Sequence, residues 1–169
     1  MEPDLTDVPT NHRGISIAPI PWLDPVTAAA VDDIARTLVR RHPEVQAIIL
    51  FGSVARHEER PLDDPNPSDV DLLLVLDPST VNPGASRLTH TQELALRATI
   101  GDTDYRHRSP RAISVLFMNR DLAGWDSLFI ENVARDSIVI WTRGDVPPRL
   151  TNTECSPVSP KSPLCDGAG

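Results

Sequence analysis

Between residues 50 and 77 the sequence reads LFGSVARHEERPLDDPNPSDVDLLLVLD. An apolar run stops at Gly52-Ser53, and a second apolar run begins behind two aspartates, Asp69 and Asp71, one residue apart. In extended backbone, residues two apart project to the same face, so the two carboxylates stand side by side. Two anions at that spacing repel, and solvent, hydrogen bonds or a divalent cation must offset the repulsion. Hard oxygen donors of this kind suit Mg²⁺. The Gly-Ser turn adds backbone N–H groups and a hydroxyl, and a helix beginning in VARHEER would turn its N-terminus toward a phosphate at the same place. An isolated Asp-x-Asp before a strand is more often a turn or edge feature. Placed behind strand-Gly-Ser at this distance, it reads as part of a metal-nucleotide site.

The elements that must position these groups follow from periodicity. Residues 24–42 carry Asp24 as N-cap, Pro25 as first helical residue, and Val31, Ile34, Ala35 and Leu38 at helical spacing, which predicts a helix with one buried stripe ended by Pro43. The runs at 45–51 and 70–76 are short and almost wholly apolar, as buried strands are. A helix is predicted over 86–99, with Leu88, Leu94 and Leu96 among its apolar positions. A third strand is expected at 112–118, a short helix near 125–134 and a fourth strand at 137–141. The α, β, β, α, β, α, β order makes this an α+β fold, a small mixed β-sheet with helices packed on it. Trp125, Phe129 and Trp141 read as core.

On the residues Leu50-Phe51-Gly52-Ser53-Val54-Ala55-Arg56 and Ser68-Asp69-Val70-Asp71-Leu72, the chain resembles the DNA polymerase β-like nucleotidyltransferase superfamily, whose signature is GS…DxD. Its minimal nucleotidyltransferases, small proteins often found as antitoxins paired with a HEPN-domain toxin, are the group it looks most like. The resemblance spans about residues 45–141 and implies a polymerase β-like nucleotidyltransferase fold. It implies that Gly52 and Ser53 hold the triphosphate of an NTP, with ATP favoured, and that Asp69 and Asp71 ligate Mg²⁺. Arg56 reads either as a phosphate contact or as a solvated helix residue. His57 reads as a local backbone cap, and Asp63 and Asp64 read as solvated loop charges.

One position departs from the family pattern. A later strand normally supplies a third aspartate, and the aligned position in Arg111-Ala112-Ile113-Ser114-Val115-Leu116 is Ser114. A serine hydroxyl is a poor metal ligand and a poor base at neutral pH. Asp102, Asp104 and Glu93 are the acids that could fold into reach instead. A Pro-rich insertion, RPLDDPNP, also lengthens the gap before Asp69. Two functional classes follow. The first is an enzyme moving a nucleoside monophosphate from an NTP to a hydroxyl of a partner protein or a small molecule. The second is a catalytically degenerate module that binds a nucleotide or a partner without turnover.

The rest of the chain bounds these readings. Its 169 residues suit one domain, and a net charge of −8 argues against non-specific adhesion to nucleic acid and against a templated polymerase. The run YRHRSPR, 105–111, reads as a solvated loop. No apolar run approaches a membrane span, and the acidic start is unlike a signal peptide, so a cytoplasmic location is expected. Residues 1–14 and the Pro/Ser-rich 144–169 read as flexible ends around a domain at 15–143. Cys155 and Cys165 lie in that tail, away from any zinc-type His pair.

Overall fold

A computed structural model describes residues 14–102, 109–120 and 127–144. Helix α1, Pro25–Arg41, starts where the sequence signals it: Asp24 Oδ1 accepts a hydrogen bond from Thr27 N at 2.9 Å, and Pro25 occupies the first turn. An N-cap of this kind stabilises a helix by about 1 kcal/mol. Val31, Ile34, Ala35 and Leu38 form its buried stripe. Strand β1, Val45–Phe51, leads into a single helical turn, α2, Gly52–Ala55. Strand β2 is Val70–Leu76, and a short 3₁₀ turn, Pro78–Thr80, follows it. Helix α3 is His90–Asp102, β3 Ile113–Asn119, α4 Ser127–Asp136 and β4 Ile138–Thr142.

The four strands form one mixed sheet in the order β3-β2-β1-β4. β1 runs antiparallel to β2 and β4, while β2 and β3 are parallel. Alternation along the strands divides the core in two. Ile48, Leu50, Val70, Leu72, Leu74 and Leu76 face the side covered by α1 and α3, and Ala47, Ile49, Leu73 and Val75 face Ile130 and Val133 of α4. The strands buried on both faces are therefore the ones that read as continuous apolar runs. The segment before α1 reaches the far edge of the sheet, where Ala18 N donates to Ile140 O at 2.8 Å.

Several boundaries differ from the sequence reading. Helix α3 begins at His90 rather than near residue 86 because Thr89 and Gln92 form a reciprocal capping box: Gln92 N donates to Thr89 Oγ1, and Thr89 N donates to Gln92 Oε1. Leu96 is buried, whereas Leu94 is 52% exposed on the outer side of that helix. Phe129 and Trp141 pack against the core as expected. Trp125, residues 1–13, residues 145–169 and both cysteines lie outside the described residues. No helix among the described residues is long and apolar enough to cross a membrane.

Candidate active site

Strand β1 ends at Phe51, and the chain turns through Gly52 at φ +78°, in the left-handed region that glycine tolerates best. Space reinforces this need, because a β-carbon on Gly52 would lie 2.5 Å from Asp71 Oδ2. The turn after Phe51 therefore closes directly onto the Asp71 carboxylate, whose strand position is the cross-strand partner of Phe51.

The helix expected in VARHEER is only the one turn Gly52–Ala55, with Arg56 as its C-cap. It stops in a Schellman motif. His57 takes φ 58°, its N–H donates to Val54 O, and Glu58 N donates to Ser53 O. Left-handed backbone is costly for histidine, and the surroundings hold it there. The His57 ring stacks on Trp22 with centroids 3.9 Å apart, and Trp22 Nε1 donates to Val54 O at 2.9 Å. The Gly-Ser turn is thus braced from the N-terminal segment. Ser53 is half-buried, while Val54 and Ala55 are buried beneath it.

The two aspartates differ in environment. Asp69 is exposed just ahead of β2, and Asp71 is half-buried within it. Burial, and then the charge of Asp69, push the Asp71 carboxyl above its ordinary value. Asp71 also pairs in register with Ser114 of β3, so the exposed Ser114 hydroxyl lies on the same face of the sheet, one strand away.

Among the alternative acids, Glu93 is bonded to Arg97 on α3, and α3 packs on the opposite face. The side chain of Asp102 and the whole of Asp104 lie outside the described residues. Among the described residues, no group of three His, Cys, Asp or Glu side chains could hold a metal ion. The donor set fits one divalent cation held by Asp69 and Asp71, since Mg²⁺ commonly takes one or two carboxylates and completes its shell with water and substrate phosphate.

Arg56 is exposed, with Nε donating to Glu58 Oε2 at 2.8 Å. Its charge also contributes, after the Arg135 hydrogen bond, to holding the Asp136 carboxyl of α4 below the usual range. Asp64 Oδ1 accepts from Asn66 N, a turn bond in the exposed insertion, and Asp63 is exposed beside it.

The solvated-loop reading of 105–111 is corrected at its end, because Arg111 is only 5% exposed. Its Nη1 donates to Arg60 O at 2.8 Å and to Ser68 O at 3.0 Å. Residues 105–108 lie outside the described residues. Arg111 and Trp22 are the residues around the site that motif spacing did not single out. No local signal marked Arg111, which ends a run of cations that reads as solvated.

The family model for "Polymerase beta, Nucleotidyltransferase" matches residues 33–145. The chain belongs to this nucleotidyltransferase family. Among solved structures, a nucleotidyltransferase candidate from Sulfolobus solfataricus is 17% identical over 68% of this chain and 79% of its own, with a TM-score of 0.42. A toxin–antitoxin complex with AMP-PNP is 17% identical over 66% of this chain and 73% of its own, at 0.39. The complex of a tri-AMPylated Shewanella oneidensis HEPN toxin with an MNT antitoxin is 16% identical over 68% and 71%, at 0.38. No curated protein matches the chain. As in the family to which the chain belongs, the fold is α+β, built on a mixed four-stranded sheet.

Proposed function

We propose that this protein transfers a nucleoside monophosphate from Mg²⁺-bound ATP to a hydroxyl acceptor. The observation that carries the reading is the approach of Gly52 to Asp71, which puts the backbone of the Gly-Ser turn against a carboxyl that also feels the charge of Asp69. Asp69 and Asp71 would hold the cation, and when bound it would supply charge neutralisation of the triphosphate. The N–H groups and hydroxyl of the Gly52-Ser53 turn would bind phosphate oxygens and orient the α-phosphorus. Arg56 would exchange its exposed Glu58 partner for phosphate, a small loss because surface ion pairs contribute little.

In the transfer, the acceptor oxygen forms a bond to the α-phosphorus and the bond to the bridging oxygen breaks, releasing pyrophosphate. Ser114 does not take the acceptor proton, because a neutral hydroxyl is too weak a base, so that proton leaves to solvent. By motif resemblance alone, the acceptor is a protein hydroxyl such as a tyrosine of a HEPN-type toxin, with this chain as the antitoxin.

A second reading is a nucleotide-binding module without turnover, favoured by Ser114 at the register position beside Asp71 and by the finding that, among the described residues, no three His, Cys, Asp or Glu side chains group to hold a metal ion. Incubating the protein with α-labelled ATP, Mg²⁺ and the product of the neighbouring gene separates the two. Label on the partner, lost in Asp69→Asn and Asp71→Asn, supports transfer. Calorimetric binding of Mg-ATP with no label on any acceptor supports the module.

A further inference from the structure

Arg111 is a charged side chain placed almost wholly out of solvent, an arrangement that is strongly unfavourable unless its partners are well placed. Those partners sit around one short stretch of chain. Nη1 serves the carbonyls of Arg60 and Ser68, the two ends of the insertion that separates the Gly-Ser turn from the aspartates. Ser68 Oγ closes the same loop by accepting from Arg60 N at 2.8 Å. On the other side, Nε lies 3.6 Å from Asp24 Oδ2, and among the described residues both buried atoms have no other hydrogen-bond partner. The other oxygen of Asp24 caps α1.

Asp69 lies directly between two tethers, one made by Arg111 and one by the backbone ahead of β3. The peptide before it is held through Ser68 O by Arg111, and the residue after it is held by the Val70 N to Ala112 O bond. Asp69 itself precedes the first residue of β2 and is exposed, so the sheet ladder does not fix it. We propose that Arg111 is the positioning residue for Asp69: its guanidinium fork ties the insertion to β3 and to the N-terminus of α1, so that the Asp69 carboxylate is held beside Asp71. This rests on the metal-nucleotide reading of the two aspartates. Arg111 touches neither carboxylate and acts through the Ser68 peptide.

The test uses the full chain, Mn²⁺ as the probe ion and AMP-PNP as nucleotide, with affinity by calorimetry and the bound-Mn²⁺ signal by electron paramagnetic resonance. The variants are Arg111→Gln, Arg111→Lys and, as a control for lost stability alone, Val133→Ala on the buried face of α4. Groups that orient a metal ligand typically change affinity by roughly 10- to 100-fold when removed, and Arg111→Gln is expected to weaken Mn²⁺ binding by at least the lower figure. Its Mn²⁺ line shape should also differ from the parent's. Arg111→Lys keeps the charge without the planar fork and should fall between the two. Val133→Ala should bind with the parent's affinity and line shape. Parent-like affinity and line shape in folded Arg111→Gln would overturn the proposal and leave Arg111 a structural clamp. Should that variant fail to fold, parent-like behaviour of Arg111→Lys would overturn it equally. A parent that binds no Mn²⁺-nucleotide would overturn the metal-site reading itself, and the proposal with it.

Discussion

Gly52 and Asp71 approach each other so closely that a β-carbon on Gly52 would stand 2.5 Å from Asp71 Oδ2 and 3.4 Å from its Cγ. The contact joins the two halves of the signature, 19 positions apart in sequence, across the end of the β1–β2 pair. Gly52→Ala is therefore expected to act twice. It places a non-glycine residue at φ +78°, which costs about 1–3 kcal/mol, and it forces the Asp71 carboxylate to rotate away. Urea denaturation should report the first effect and a Mg-ATP titration the second. The double variant Gly52→Ala with Asp71→Ala should recover the steric part while leaving the backbone part. Parent-like stability of Gly52→Ala would contradict the left-handed turn.

The raised Asp71 carboxyl sets a pH dependence. Its unfolded value is near the ordinary 3.8, and burial with the Asp69 charge raises it in the fold. The folded state then holds its proton more tightly than the unfolded state. The resulting stabilisation is complete below the unfolded value and is lost as pH rises through the raised folded value. Melting temperature measured without divalent ions should fall across that window. Asp71→Asn should remove this part of the slope and melt higher at neutral pH, while losing Mg-ATP binding. Adding Mg²⁺ and ATP to the parent should restore stability at neutral pH, because ligand binding stabilises the native state. A melting profile of Asp71→Asn parallel to the parent's through this window would mean that Asp71 is not the group responsible.

Much of this was legible in the residues, for definite reasons. β1 is bounded by Pro43 and Gly52, β2 opens on the Asp-x-Asp pair, and the central positions of both are buried on both faces, so an apolar run marks each of them. Strand alternation gave the expectation that Asp69 and Asp71 share a face, but only Asp71 lies within β2, and Asp69 stands one residue ahead of it, where the ladder does not fix it. The one-turn length of α2 was not legible, because it depends on His57 accepting a left-handed backbone against Trp22, a residue 35 positions earlier. The role of Arg111 was equally hidden. A lone arginine beside other cations reads as solvated, and only the fold brings Asp24, Arg60 and Ser68 around it.

Asp24 carries two duties that can be separated. Oδ1 caps α1 and Oδ2 faces the Arg111 guanidinium. Asp24→Asn keeps an oxygen for Thr27 N but removes the charge, whereas Asp24→Ala removes both. Loss of an N-cap alone costs about 0.5–2 kcal/mol, and leaving Arg111 without its counter-charge adds to this. Chemical denaturation should place Asp24→Asn between the parent and Asp24→Ala. If Asp24→Asn matches the parent, the 3.6 Å pair contributes nothing to stability.

The register of β2 and β3 makes the last prediction the most direct test of the site. Ser114 is the Cα partner of Asp71 and is exposed on the same face, so Ser114→Asp would add a third carboxylate next to the existing two. Without a cation, the extra negative charge repels its neighbours, and the variant should melt below the parent, more so at low ionic strength. With Mg²⁺ and ATP the same charge becomes a ligand, and binding to the native state raises stability in proportion to the logarithm of ligand concentration over its dissociation constant. The rise in melting temperature on adding Mg²⁺ and ATP should therefore be larger for Ser114→Asp than for the parent. If the missing acid is what limits turnover, label transfer from ATP should rise in the same variant. Ser114→Asn, equal in shape and without the charge, should show neither change. An equal or smaller rise for Ser114→Asp would mean that the metal does not bind within reach of β3, and that the two aspartates work without a contribution from that strand.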